Sequence, residues 1–128
     1  MITGTVNGQF EIVIQLRVRD SAGQEHEVEA ILDTGFTGSL TLPPSLISRL
    51  GLLWRSSSSA VLANGNVELF DVYAATVIWD AVPRPILVQA IDNPALLGMA
   101  LLVDYDLRAR VIVGGSVEIG RIKGVRTH

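Results

Sequence analysis

Apolar and polar residues alternate along much of the chain. From Phe10 to Arg19, the residues Phe10, Ile12, Ile14, Leu16 and Val18 interleave with Glu11, Gln15, Arg17 and Arg19, the period of a half-buried strand. Asp20-Ser21-Ala22-Gly23-Gln24 supplies turn chemistry. A second alternating run, Glu27–Leu32, becomes fully apolar toward its end, so the two runs predict a β-hairpin. A short strand around Ser39–Leu42 leads into Pro43-Pro44. Pro44–Leu50 then predicts a helix of about two turns, with proline in the first turn and Gly51 as the left-handed residue after the end. Trp54–Leu62 reads as a strand despite the serine run Ser56–Ser59, and Asn64-Gly65 predicts a type I′ hairpin turn. Val67–Tyr73 is the return strand, and Ala75–Trp79 continues the sheet. Val82-Pro83-Arg84-Pro85 reads as a loop, followed by a strand at Ile86–Ile91 and a turn at Asp92-Asn93-Pro94. After the apolar run Leu96–Leu102, Arg110–Val113 and Val117–Ile119 predict a final hairpin around Gly114-Gly115-Ser116. The expectation is an all-β fold with one or two short helices, in one domain spanning residues 1–128 without an internal linker.

Composition narrows the function classes. Hydrophobic residues make up 48% and charged ones 18% of the chain, an apolar excess large enough for part of it to lie against a partner. A net charge of −3 without basic runs argues against a nucleic-acid surface. The absence of cysteine removes disulfides, thiol catalysis and cysteine-bound metal. The histidines, His26 and His128, are far apart, which disfavours a zinc cluster, and a serine–histidine triad would have to use His26, which sits in a polar, charged stretch, so neither metal nor cofactor is expected. The N-terminus lacks a signal-peptide pattern, and no apolar window reaches membrane-spanning length. A soluble, cytoplasmic protein is expected.

The chemistry concentrates at Asp33-Thr34-Gly35, which ends an apolar strand and opens a glycine-rich turn, Gly35-Phe36-Thr37-Gly38. A rigid strand can aim such a carboxylate, and apolar neighbours favour its holding a proton. Thr34 offers a hydroxyl, and Gly35 permits close approach of a substrate or a second chain. Alone the tripeptide is common, and a solvated Asp opening an Asx turn would also fit it. Asp104 and Asp106 are read as solvated charges, Gly114-Gly115-Ser116 as a hairpin turn rather than a phosphate site, and Trp54 and Trp79 as core or interface aromatics.

The run from Ile31 through Asp33-Thr34-Gly35 to Pro43 resembles the active-site segment of retropepsin-like aspartic peptidases, particularly small bacterial members. The resemblance extends through Leu50-Gly51-Leu52, the Asn64-Gly65 hairpin where that family has its flap, and Leu96-Leu97-Gly98, its second signature. Met99–Leu102 stands where the family has a short helix. These features run in order over most of Val6–Ile119. The resemblance implies an acid-protease barrel or sandwich of short strands that carries half a catalytic site. Two carboxylates sharing one proton would activate water against a peptide bond, and like charges at about 3 Å cannot both ionise. Since the chain has a single Asp-[Ser/Thr]-Gly, a homodimer is implied, with Asp33 from each copy catalytic and the Thr34 hydroxyls locking the two loops together. Phe36, Thr37, Ala63, Asn64 and Gly65 would contact an extended peptide or protein substrate, the last three from the flap tip.

Departures from that pattern are specific. Phe36 stands where many retroviral relatives have alanine, and Thr37 and Met99 replace an acid and an arginine. Both halves of that ion pair are lost together, which implies apolar or hydroxyl packing rather than a stranded charge. Ala100 replaces a residue that is often polar. A dimer of the same fold that binds a peptide or partner without hydrolysis is the competing expectation, and an unrelated β-barrel with Asp33 in a turn is a weaker third.

Overall fold

The computed structural model describes residues 1–124; His128 lies outside the described residues. Ten strands and two short helices alternate as β1 (Ile2–Val6), β2 (Ile12–Arg19), β3 (Glu25–Leu32), β4 (Leu40–Leu42), α1 (Pro44–Leu50), β5 (Leu53–Val61), β6 (Val67–Trp79), β7 (Val82–Ala90), β8 (Leu96–Leu97), α2 (Met99–Leu102), β9 (Tyr105–Ala109) and β10 (Ser116–Arg121). They form one sheet in the order β5-β6-β7-β4-β8-β3-β2-β1-β10-β9. A further pairing of β6 with β2, Arg17 opposite Ile78 and Val18 opposite Val77, closes six of the strands into a barrel. β5 and the β1-β10-β9 group extend from it as flanking strands. The all-β expectation holds.

The alternating pattern fills the barrel. Ile14, Leu16 and Val18 of β2 and Val28, Ala30 and Leu32 of β3 are buried with Leu40, Leu42, Val77, Val88 and Leu97. The intervening Gln15, Arg17, Glu27 and Glu29 face water. The helix at Pro44–Leu50 forms as its sequence dictates. Proline occupies its first turn, Ile47 and Leu50 point into the core, and Gly51 at φ 67° closes the end by donating to the Ile47 and Ser48 carbonyls.

Four local expectations are corrected. The segment from Val82 to Pro85 is strand, not loop. Pro83 and Pro85 have the same parity along β7, so both place their missing N–H on the side away from β6. On that side β4 reaches only Val88–Ala90, and no ladder bond is lost. The type I′ geometry belongs to Asp80-Ala81 (φ 53° and 65°), the two-residue link between β6 and β7. In the hairpin at Ala63-Asn64-Gly65 only Gly65 has positive φ, 85°. There Gly65 N–H donates to Leu62 and Leu62 N–H to Asn66, which makes a three-residue loop with a glycine bulge instead. The β1–β2 connection repeats this loop, but Phe10 takes the glycine's place at φ 61° and is exposed, so it is a turn residue rather than the first apolar position of the strand. Finally, the first arm of the last hairpin is Tyr105–Ala109, and Val111-Ile112-Val113 lie exposed in the connecting loop.

Ala81 gives the type I′ turn a stability test. A β-carbon in the left-handed region costs about 1–2 kcal/mol. Glycine relieves that but adds about 0.4–1 kcal/mol of freedom to the unfolded chain. Ala81→Gly is expected to stabilise the protein by about 0.5–1 kcal/mol, measured as a higher urea midpoint at unchanged m-value.

Candidate active site

Asp33 follows the last residue of β3, and its surroundings are built by three short pairings. Leu32 runs parallel to Leu97, Leu40 pairs antiparallel with Leu97, and Leu40 runs parallel to Val88. The Asp33–Ser39 loop therefore leaves one side of β8 and returns on the other. Its main chain is latched throughout. Asp33 N–H donates to the Leu97 carbonyl at 2.9 Å, Gly98 N–H to Ser39 at 2.9 Å, Met99 N–H to Phe36 at 2.8 Å and Ala100 N–H to Gly38 at 3.1 Å. The Leu96-Leu97-Gly98 signature is thus the clamp that fixes the Asp33 loop.

Gly98 is required by close approach. A β-carbon there would sit 2.1 Å from the Gly38 carbonyl oxygen, 2.5 Å from a Phe36 ring carbon and 2.8 Å from the Phe36 carbonyl oxygen. A β-carbon on Gly38 would likewise meet the Phe36 ring at 2.6 Å. The ring of Phe36 lies against two glycines, which is how a bulky residue is accommodated directly after the Asp-Thr-Gly motif. Thr37 is exposed and Met99 is 41% exposed, so at these positions the loop relies on its main-chain latch.

Within the loop, Gly35 N–H donates to Asp33 Oδ1 at 2.9 Å and Phe36 N–H to the Asp33 carbonyl at 3.1 Å. Asp33 Oδ2 accepts no hydrogen bond from the described residues, and neither does the exposed Thr34 hydroxyl make one. One carboxylate oxygen is thereby oriented and the other left open for a reacting group. Among the described residues, no three His, Asp or Glu side chains converge as a metal ion would require. No described helix is long and apolar enough to cross a membrane.

Asp33, Thr34, Gly35, Phe36 and Thr37 share this loop, whereas Ala63, Asn64 and Gly65 sit at the tip of the β5–β6 hairpin. Every residue from Leu53 to Leu69 is exposed, so the hairpin stands clear of the core. Trp79 is buried and meets Tyr105 edge-on at 5.8 Å, while Trp54 is exposed and donates its indole N–H to Asp71. His26 bonds Asp20 at 2.7 Å on the β2–β3 turn, in the polar setting its neighbours imply.

One supporting residue escaped the sequence reading. Thr41 is 2% exposed, and its Oγ1 accepts the Leu96 N–H at 2.9 Å, completing the β4–β8 pairing that the short strand leaves unfinished. A hydroxyl between two leucines, Leu40 and Leu42, in a short strand was the available signal. Thr41→Val keeps the volume but removes the acceptor of the part-buried Leu96 N–H, an expected loss of about 0.5–1.5 kcal/mol by denaturant unfolding.

Comparison with known proteins agrees with this architecture. The chain is similar in structure to a retropepsin-like aspartic protease from Rickettsia conorii, with a TM-score of 0.57 and 16% identity over 93% of this chain and 89% of that one. No family model matches the chain, and no curated protein matches its sequence. At that identity the likeness establishes the retropepsin-like fold.

Proposed function

We propose that this chain is an aspartic endopeptidase that acts as a homodimer, with Asp33 from each copy forming the catalytic pair. The observation that carries the reading is the latched loop, which holds one Asp33 oxygen on Gly35 and leaves the other open. In the dimer the two carboxylates share one proton. One accepts a proton from water as the other, protonated, polarises the scissile carbonyl. The Thr34 hydroxyls satisfy each other's loops across the two-fold axis, and the Ala63-Asn64-Gly65 tip closes over an extended substrate that also contacts Phe36 and Thr37.

The placement of exposed apolar residues supports the pairing. Strand register puts the end of β3, the β1–β2 turn and the β9–β10 loop at the same end of the sheet. Phe10, Val111, Ile112 and Val113 are each at least 60% exposed there, at the end of the sheet that also carries the Asp33 loop. Phe10 also occupies a left-handed conformation that disfavours a bulky residue. A strained, solvent-facing aromatic is what a binding surface retains at a cost to the monomer.

Phe10→Gly is therefore expected to stabilise the isolated fold slightly while weakening self-association about tenfold or more, read by thermal midpoint and sedimentation equilibrium. The reading itself is tested with a mixed peptide library from mild acid to neutral pH. Cleavage confined to the dimer supports it, and a strict monomer at high concentration sinks it. Binding without cleavage would instead leave a peptide-binding module of the same fold.

A further inference from the structure

Beside the Asp33 loop, a groove of about 980 Å³ runs from Gly38 and Ser39 along the β5–β6–β7 face. Its floor is apolar, including Phe70, Val72 and Ile86, but its charged lining is one-sided: Arg19, Arg55 and Arg84 against the single acid Asp20. In a chain of net charge −3, this is a concentration of positive charge at one place.

The arrangement of each charge matters more than the count. Asp20 is already committed. Its Oδ2 holds His26 at 2.7 Å and its Oδ1 accepts the Ala22 and Gln24 amides, and the His26 bond, then the Gln24 amide, hold its carboxyl below the usual carboxylate range. Asp71 is also occupied, by Trp54 and Ser57, and strand alternation puts it on the opposite face from Ser58 and Phe70, which line the groove.

Arg84 is half-buried and fixed by bonds from Nη1 and Nη2 to the carbonyls of Leu101 and Ala100, with no carboxylate partner among the described residues. Arg55 is the extra residue in a bulge of β5, where the register slips between Trp54 and Ser56. Leu53 opposite Ala74 and Ser58 opposite Phe70 all line the groove, so the bulge carries Arg55 onto that same face. No described residue pairs with it. Among the described residues, the one ion-pair contact of Arg19 is a long one to Glu25, 3.8 Å.

We propose that this groove selects acidic peptides: an extended substrate crossing the Asp33 loop places Asp or Glu side chains against Arg55 and Arg84, its apolar residues lying on the floor. The assignment rests on the peptidase reading for its substrate class, but binding in the groove needs no turnover. Guanidinium–carboxylate bonds supply the preference, and salt screens it.

The test uses the full chain carrying Asp33→Asn, so that binding is read without cleavage. Fluorescent decapeptide pools with randomised apolar positions carry either a fixed pair of Glu or a fixed pair of Gln, and anisotropy gives both affinities. The Glu pool should bind about tenfold more tightly at low salt, and Arg55→Gln should remove most of that ratio, with Arg84→Lys reducing it further. Equal affinities, no binding of either pool, a ratio that survives Arg55→Gln, or an equally tight single-stranded oligonucleotide would each overturn the assignment. Wild type that prefers acidic peptides but cleaves none defeats the peptidase reading alone. Cleavage without acid preference defeats the groove alone.

Discussion

Asp33→Asn is expected to reduce peptide cleavage by about a thousandfold or more while leaving the fold and the dimer intact. The substitution keeps the size and the acceptor on which Gly35 N–H docks at 2.9 Å, so the loop has no structural reason to move. What it removes is the ability to share and transfer a proton, because an amide cannot ionise at any working pH. A shared site adds a sharper requirement. When wild type and variant are mixed in equal amounts and allowed to exchange, only about a quarter of the dimers carry two carboxylates. Activity should fall to that fraction. A fall to one half would mean that each copy works alone, and the half-site reading would be wrong. Initial rates on a quenched peptide, taken across mixing ratios, decide between the two curves.

The second large effect is expected at Gly98. Its replacement by alanine puts a methyl group 2.1 Å from the Gly38 carbonyl oxygen, against main chain that cannot rotate away. Overpacking of this kind costs about 1–3 kcal/mol and at times more. The relief available is displacement of the Phe36–Ser39 segment, which would break the Gly98–Ser39, Met99–Phe36 and Ala100–Gly38 latches and release Asp33 from its position. Gly98→Ala should therefore lose stability by denaturant unfolding and lose activity by far more than the stability loss explains. Gly65→Ala, at the tip of the β5–β6 hairpin, is the control for the stability loss alone. Gly65 has positive φ, 85°, but nothing lies within 4 Å of the site of its absent β-carbon. Its cost should stay near about 0.5–1 kcal/mol, the left-handed strain less the freedom that alanine removes from the unfolded chain. Equal losses at the two positions would mean that the close approach at Gly98 has no special consequence.

Much of the barrel was legible because it depends on local periodicity. Alternation in β2 and β3, the Pro44 start and Gly51 end of α1, and the glycine turn after Asp33 are decided by a few neighbouring residues. Asp33-Thr34-Gly35 and Leu96-Leu97-Gly98 could be read as motifs since they occur unbroken in sequence. That the second clamps the first is a tertiary fact, resting on the Asp33–Leu97 and Gly98–Ser39 bonds between segments some sixty residues apart.

The misread elements share one cause: the environment of a backbone group was set by a distant strand. Val82–Pro85 has the composition of a loop, yet its prolines fit because β4 is too short to need their N–H groups. Val111–Val113 has the composition of a strand but no layer to pack against, so it remains an exposed loop. Asn64-Gly65 carries the signal for a type I′ turn, but the hairpin takes one more residue, and Asp80-Ala81 adopts that geometry under the register of β6 on β7. Sequence alone determined the alternating strands, the helix limits and the single acidic motif, because each is a property of adjacent residues. The tertiary structure decided what Asp33 faces, which glycine its loop cannot lose, and that Arg19, Arg55 and Arg84 share one groove, because those depend on contacts between segments that only folding brings together.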